Sequence, residues 1–118
     1  MNEVASRLPN QPAPPLVVFD DLCDPDRQPA RPWLVLSDDE IRPTVLDSAR
    51  PTYVVWSSLW RHRPHATIRF DLTPAHGGTD LRWTLFVDDR IPDDGLIGHL
   101  RRRINELINA NLRYTYGQ

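Results

Sequence analysis

His99 and Arg103 stand four residues apart in a stretch, 94 to 113, whose apolar residues recur with a helical period, so both project from one flank of a helix. A histidine there offers a general base and an arginine an anchor for an anionic group at the mouth of a cavity beneath the helix. The competing reading is a solvated pair, and no carboxylate stands at a spacing that would orient His99. His62-x-x-His65 has the look of a metal pair, but it lies in a turn with Pro64 and lacks a third ligand, so no metal is expected. His76 falls in a hairpin loop. Ser57-Ser58 lacks the Gly-x-Ser-x-Gly elbow that exposes a nucleophile. Cys23 sits near a helix C-terminus, where the dipole disfavours a thiolate, and reads as a small hydrophobe. The acidic pairs Asp20-Asp21, Asp38-Asp39, Asp88-Asp89 and Asp93-Asp94 are neighbours whose side chains diverge, which suits solvated caps rather than paired-carboxylate catalysis. Gly77-Gly78 is not followed by a helix and is no phosphate loop. Arg101, Arg102 and Arg103 point in three directions around a helix and read as solvated.

The aromatic residues form the other candidate. Trp56, Trp60, Phe70 and Trp83 are packed core on one reading and the wall of an apolar ligand cavity on the other. Together with Leu100, His99 and Arg103 they are the expected lining of such a cavity.

These side chains need elements to hold them. Ala66, Ile68, Phe70 and Leu72 alternate with polar residues, as do Leu81, Trp83, Leu85 and Val87, with the glycine-bearing loop Pro74 to Thr79 between them, which predicts a hairpin. Tyr53 to Trp60 (YVVWSSLW) predicts a third strand. Leu72 opposite Leu81 and Trp60 opposite Ala66 would put Trp56, Phe70 and Trp83 in one row across three antiparallel strands. Asp94 to Arg113 predicts a helix of about 30 Å with an inward stripe of Ile97, Leu100, Ile104, Leu107, Ile108 and Asn111. Leu16 to Cys23 predicts a short helix with Leu16, Phe19, Leu22 and Cys23 inward, stopped by Asp24-Pro25. Trp33 to Leu36 and Arg42 to Ala49 predict further strands. Val4, Ser6 and Leu8 suit a short edge strand ahead of the prolines at 9, 12, 14 and 15.

The 118 residues, 40% hydrophobic and 25% charged, suit a single domain, 1–118, with a proline-rich segment at 1–14. There is no apolar run near the roughly 18 residues of a membrane helix, and the first fifteen residues lack the apolar core of a secretory signal. With a single cysteine there is no internal disulfide. A cytoplasmic protein is expected. The net charge is -2, and the only basic cluster is Arg101 to Arg103, so nucleic acid is not an expected partner. All fourteen basic residues are arginine, which removes lysine chemistry.

Three segments carry a family resemblance: PAPPLVVFDDLCDPDRQPARPWL (12–34), RFDLTPAHGGTDLRWTL (69–85) and INELINANLR (104–113). They resemble the SRPBCC or START-like superfamily, which includes polyketide cyclase/dehydrase-like, Bet v 1-like and Hsp90-activator-like proteins. The resemblance implies an α+β helix-grip fold, an antiparallel sheet wrapped around a long C-terminal helix. It also implies a hydrophobic or amphipathic small molecule held between sheet and helix, with no cofactor. Its alternatives are a cyclase/dehydratase using the same cavity and a co-chaperone-like interaction module, with a second copy of the chain as a further partner. The proline-rich stretch stands where the superfamily's first strand would run, so that strand is expected to be truncated or replaced.

Overall fold

A computed structural model of the chain describes residues 1–25 and 32–117. Its centre is the expected hairpin. Strand β5 (Thr67–Ala75) pairs with β6 (Gly78–Val87) with Leu72 opposite Leu81, Phe70 opposite Trp83 and Ile68 opposite Leu85. The strands run further than the expected loop allows, through Pro74–Thr79 and Ala75–Gly78 pairs, because the turn is only His76-Gly77. Both have positive φ, 50° and 78°, the conformation of the tight turn that matches strand twist.

Strand β4 (Tyr53–Trp56) pairs with β5 two residues out of the expected register. Trp56 faces Ile68 and Val54 faces Phe70. The cause lies in the connection: Arg63 N–H donates to the Trp60 carbonyl and Ala66 N–H to the Arg63 carbonyl, so two successive turns stand where one tight turn was expected. A slip of two preserves the face, so Trp56, Phe70 and Trp83 still share one side. Residues 57–60 leave strand β4 and are held to the 40–44 segment by a Glu40–Trp60 bridge and by backbone bonds from Ser57 N–H to the Thr44 carbonyl and from Ile41 N–H to the Leu59 carbonyl. Strand β3 (Val45–Ala49) closes one edge.

The other edge bears out the short edge strand expected around Val4 and Ser6 and shows that the first strand is kept ahead of the prolines. Strand β1 (Asn2–Arg7) pairs with β6 along most of its length, and β2 (Asn10–Gln11) continues on β6, giving the order β1-β6-β5-β4-β3 with β2 beside β6. The prolines fit because they sit at breaks: the Pro9 carbonyl still accepts from Leu81 N–H at 2.9 Å. Trp33 to Leu36, expected as a strand, joins no sheet among the described residues. Its carbonyls go to side chains instead, Trp33 to Asn111 and Val35 to Arg103, while Trp33 and Leu34 are buried.

Helix α1 (Pro15–Cys23) buries Val18, Phe19 and Leu22, and leaves Leu16 exposed. Four consecutive apolar residues, Leu16 to Phe19, leave the helix phase open in the sequence, and packing on the sheet selects it. The long helix begins at α2 (Asp94–Ile104), capped by Asp93 Oδ1 on the Leu96 N–H at 2.8 Å. It continues through a π-helical segment, Asn105–Leu112, into α3 (Arg113–Thr115). The wider π turn moves the end of the inward stripe from Asn111 to Leu112: Leu100, Ile104, Leu107, Ile108 and Leu112 are buried, and Ile97 and Asn111 only partly.

Gln11, wholly buried, donates from Nε2 to the Ile108 carbonyl within the π segment at 2.9 Å, and Thr79 Oγ1 donates to the Ala13 carbonyl at 2.8 Å. The chain can come this close only because residue 78 is glycine. A Cβ there would lie 2.1 Å from the Gln11 carbonyl oxygen. Gly78→Ala is therefore expected to destabilise the protein by about 1–3 kcal/mol, as overpacking does, read as a fall of several degrees in thermal midpoint. An unchanged midpoint refutes that contact.

Candidate functional site

Burial decides the first part of the site. Trp56, Phe70 and Trp83 are fully buried, and Trp60 and Leu100 nearly so, at 3% and 2% exposure. Trp33 stacks on Trp56 with ring centroids 5.9 Å apart, and Trp56 meets Phe70 edge-on at 4.7 Å. Two of the indole N–H groups are used structurally: Trp56 Nε1 donates to the Leu22 carbonyl of α1 at 2.7 Å and Trp83 Nε1 to Asn105 Oδ1 of the long helix at 3.2 Å. The aromatic row is packed against both helices.

The two polar candidates part company. His99 is exposed on α2. Arg103 is drawn into the protein. Its Nε and Nη2 donate to Glu40 Oε2 and Oε1 at 2.8 and 2.7 Å, Nη1 to Glu106 Oε2 at 2.7 Å, and Nη2 also to the Val35 carbonyl at 3.1 Å. The Glu40 side chain is wholly buried and that of Arg103 is 14% exposed. Burial works against the Glu40 charge, but the Arg103 guanidinium and the Ser37 N–H outweigh it and hold the carboxyl below the usual glutamate range. The Glu40 carboxylate in turn raises the Arg103 pKa. Arg103 thus clamps the long helix to the 35–40 segment, with each of its three nitrogens engaged. Burial pushes the Cys23 thiol up, in keeping with a small hydrophobe rather than a nucleophile.

Open space lies elsewhere. A cleft of about 750 Å³ is lined by His62, Arg63, Pro64, His65 and Ala66 of the β4–β5 connection, by Val87, Asp88, Arg90 and Ile91, and by Leu96 in the first turn of α2. Its floor is apolar and continuous with the core: Ala66 and Val87 are buried core residues and Leu96 packs against them. Ile91, 58% exposed, stands on its rim. Arg63 Nη1 donates to the Arg90 carbonyl at 2.7 Å, and Arg90 N–H to Asp88 Oδ1 at 3.1 Å, so the two loops that form the cleft are tied together. None of Trp56, Trp60, Phe70, Trp83, His99, Leu100 and Arg103 lines it. The sequence did mark His62 and His65, but as a weak metal pair. Among the described residues no group of three or more His, Cys, Asp or Glu side chains comes together to hold a metal ion. What was missed is that two loops remote in sequence meet at one end of the sheet. A second, more polar groove of about 360 Å³ runs between β1 and α2, lined by Ser6, Arg7, Gly98, Arg101, Arg102 and Asn105.

No protein-family model matches the chain, and no curated protein matches it in sequence. Solved structures do. CalU16 from Micromonospora echinospora superposes with a TM-score of 0.64 at 13% identity, over 88% of this chain and 68% of that one. A structure described as the Aha1 dimer from Colwellia psychrerythraea gives 0.64 at 13% identity, over 94% of both chains. Ara h 8.0201 gives 0.51 at 14% identity, over 97% of both. These are helix-grip folds, and the chain has that fold. No helix among the described residues is long and apolar enough to cross a membrane.

The clamp makes a pH-dependent contribution with a definite sign. Glu40 titrates lower folded than unfolded, so the stability it confers is complete at neutral pH and is lost as pH falls through its lowered pKa. Glu40→Gln is expected to lower the thermal midpoint at pH 7, and the gap to the wild-type protein narrows on acidification below about pH 4. Arg103→Ala leaves a buried carboxylate unpaired and costs more, on the order of 3 kcal/mol. A pH-independent gap for Glu40→Gln contradicts the assignment.

Proposed function

We propose that the chain is a START-like binding protein that takes an amphipathic, anionic small molecule at the open end of the grip. The apolar part of the ligand lies on Ala66, Val87 and Leu96, beneath Ile91, and its acidic end lies beside Arg63 and Arg90. The observation that carries this reading is the 750 Å³ cleft, which lies within the size range of small-molecule sites and combines an apolar floor with a few polar groups. The resemblance of the fold to ligand-holding relatives supports it. In this reading Trp56, Trp60, Phe70, Trp83 and Leu100 are the rigid wall behind the ligand rather than its direct contacts, and Arg103 maintains that wall through Glu40. The cyclase/dehydratase alternative has less support, because His99 lies in solvent and lines neither cleft.

Titration with anilinonaphthalene sulfonate, followed by its fluorescence, and with decanoate in competition tests the reading. Saturable binding is expected. Ile91→Asp, at an exposed rim position that leaves folding intact, weakens both at least tenfold, and Arg63→Ala weakens decanoate more than decanol. No saturation, or wild-type affinity in Ile91→Asp, overturns it. Binding that quenches tryptophan and survives Ile91→Asp would place the ligand against the aromatic row instead.

One observation favours a second reading, association of two copies. Strand β3 lies at the end of the sheet order, and its Leu46 is 57% exposed. An unpaired edge of this kind recruits another chain. Sedimentation is expected to give a dimer that Leu46→Lys dissociates. A monomer at all accessible concentrations rejects this reading.

A further inference from the structure

The sequence suggests that Arg101, Arg102 and Arg103 scatter around the helix. The structure sorts them. Arg103 turns to Glu40 and Glu106, while Arg101 and Arg102 line the groove between α2 and β1. Arg7 reaches the same groove from the other side, at the β1 position opposite Trp83. Among the described residues none of Arg7, Arg101 and Arg102 has a carboxylate partner, whereas Arg50, Arg69 and Arg103 are all ion-paired.

The remaining lining is also donor-rich. Asn105 Oδ1 already accepts from Trp83 Nε1 and from Asn109 Nδ2 at 2.7 Å, which leaves the Asn105 Nδ2 hydrogens for the groove. Gly98 contributes no side chain, and a Cβ built there would meet nothing within 4 Å, so the helix surface between the arginines is open.

We propose that this groove binds a phosphate group carried by a small molecule. Three unpaired guanidiniums converge with one preorganised amide, and guanidinium forks match phosphate oxygens bidentately. The groove is the size of a diphosphate-bearing head rather than a nucleic-acid track, and the net charge of -2 gives no long-range field for a polyanion. The site is separate from the apolar cleft, with which it shares no lining residue, so the two stand or fall independently.

Titration of isotope-labelled protein with inorganic pyrophosphate, against sodium chloride at matched ionic strength, tests it by amide chemical shifts. Saturating shifts are expected at Gly98 and at the backbone and side-chain amides of Asn105. The double variant Arg101→Ala/Arg102→Ala weakens binding at least tenfold, as does Gly98→Glu, which sets a carboxylate in the groove. Both change only exposed or partly exposed positions, and circular dichroism verifies their folding. A parallel arm measures co-sedimentation with phosphatidic acid vesicles. Arginine-dependent binding to pyrophosphate supports the proposal with a free phosphate compound as ligand, and arginine-dependent binding to vesicles alone supports it with a lipid headgroup as the source. Shifts equal to those with chloride together with no vesicle binding, or affinities unchanged in both variants, overturn it.

Discussion

The inner face of the sheet is a continuous layer of large apolar side chains, and the helices have to cover it. Val54, Trp56, Ile68, Phe70, Leu81, Trp83 and Leu85 are all fully buried, and each would cost about 1.5–3 kcal/mol to leave in water. The long helix supplies cover through Leu100, Ile104, Leu107, Ile108 and Leu112, and α1 adds Val18, Phe19 and Leu22. The placement of the 33–36 segment and the N-terminal strands follows from the need to close the margins of that layer.

Indoles in such a layer carry an N–H that must find an acceptor. Trp56 finds the end of α1 and Trp83 finds Asn105, so each aromatic contact is also a directional tie. The tie at Asn105 falls where the helix passes into its π segment, and Gln11 bonds the Ile108 carbonyl of the same segment. Local helix irregularity and side-chain hydrogen bonding therefore coincide, as is usual where a helix accommodates inserted polar groups. The Arg103–Glu40 clamp acts two residues earlier. It fixes the helix to the 35–40 segment on the far side from β1, which leaves the β1 side to Arg101 and Arg102.

Packing of this kind moves the open space to the periphery. With the aromatic row interlocked, the larger cleft forms where the β4–β5 connection and the β6–α2 connection fail to cover the end of the core, and the smaller groove forms where the helix stands off the β1 edge. One is apolar-floored with cations at its rim and the other is rich in donors. Their chemistry differs because the first borrows its floor from the core and the second is built from surface residues of two elements.

Local and periodic signals determined much of the fold. The alternation around His76-Gly77 specified the β5–β6 register to the residue, Asp93 marked the helix start, and the order of elements was enough to read a helix grip. These features depend on neighbours in sequence, and so the sequence contains them. Tertiary structure alone decided the phase of α1, the two-residue shift of β4, the π turn that exchanged Asn111 for Leu112, and the continuation of the first strand past Pro9 as β2. It also decided which side chains face open space: Trp56 and Trp83 pack, Arg103 is clamped, and residues near 63, 90 and 96 meet in a cleft. Each of those outcomes depends on a partner far away along the chain, and side-chain type and spacing do not encode which distant partner will be there.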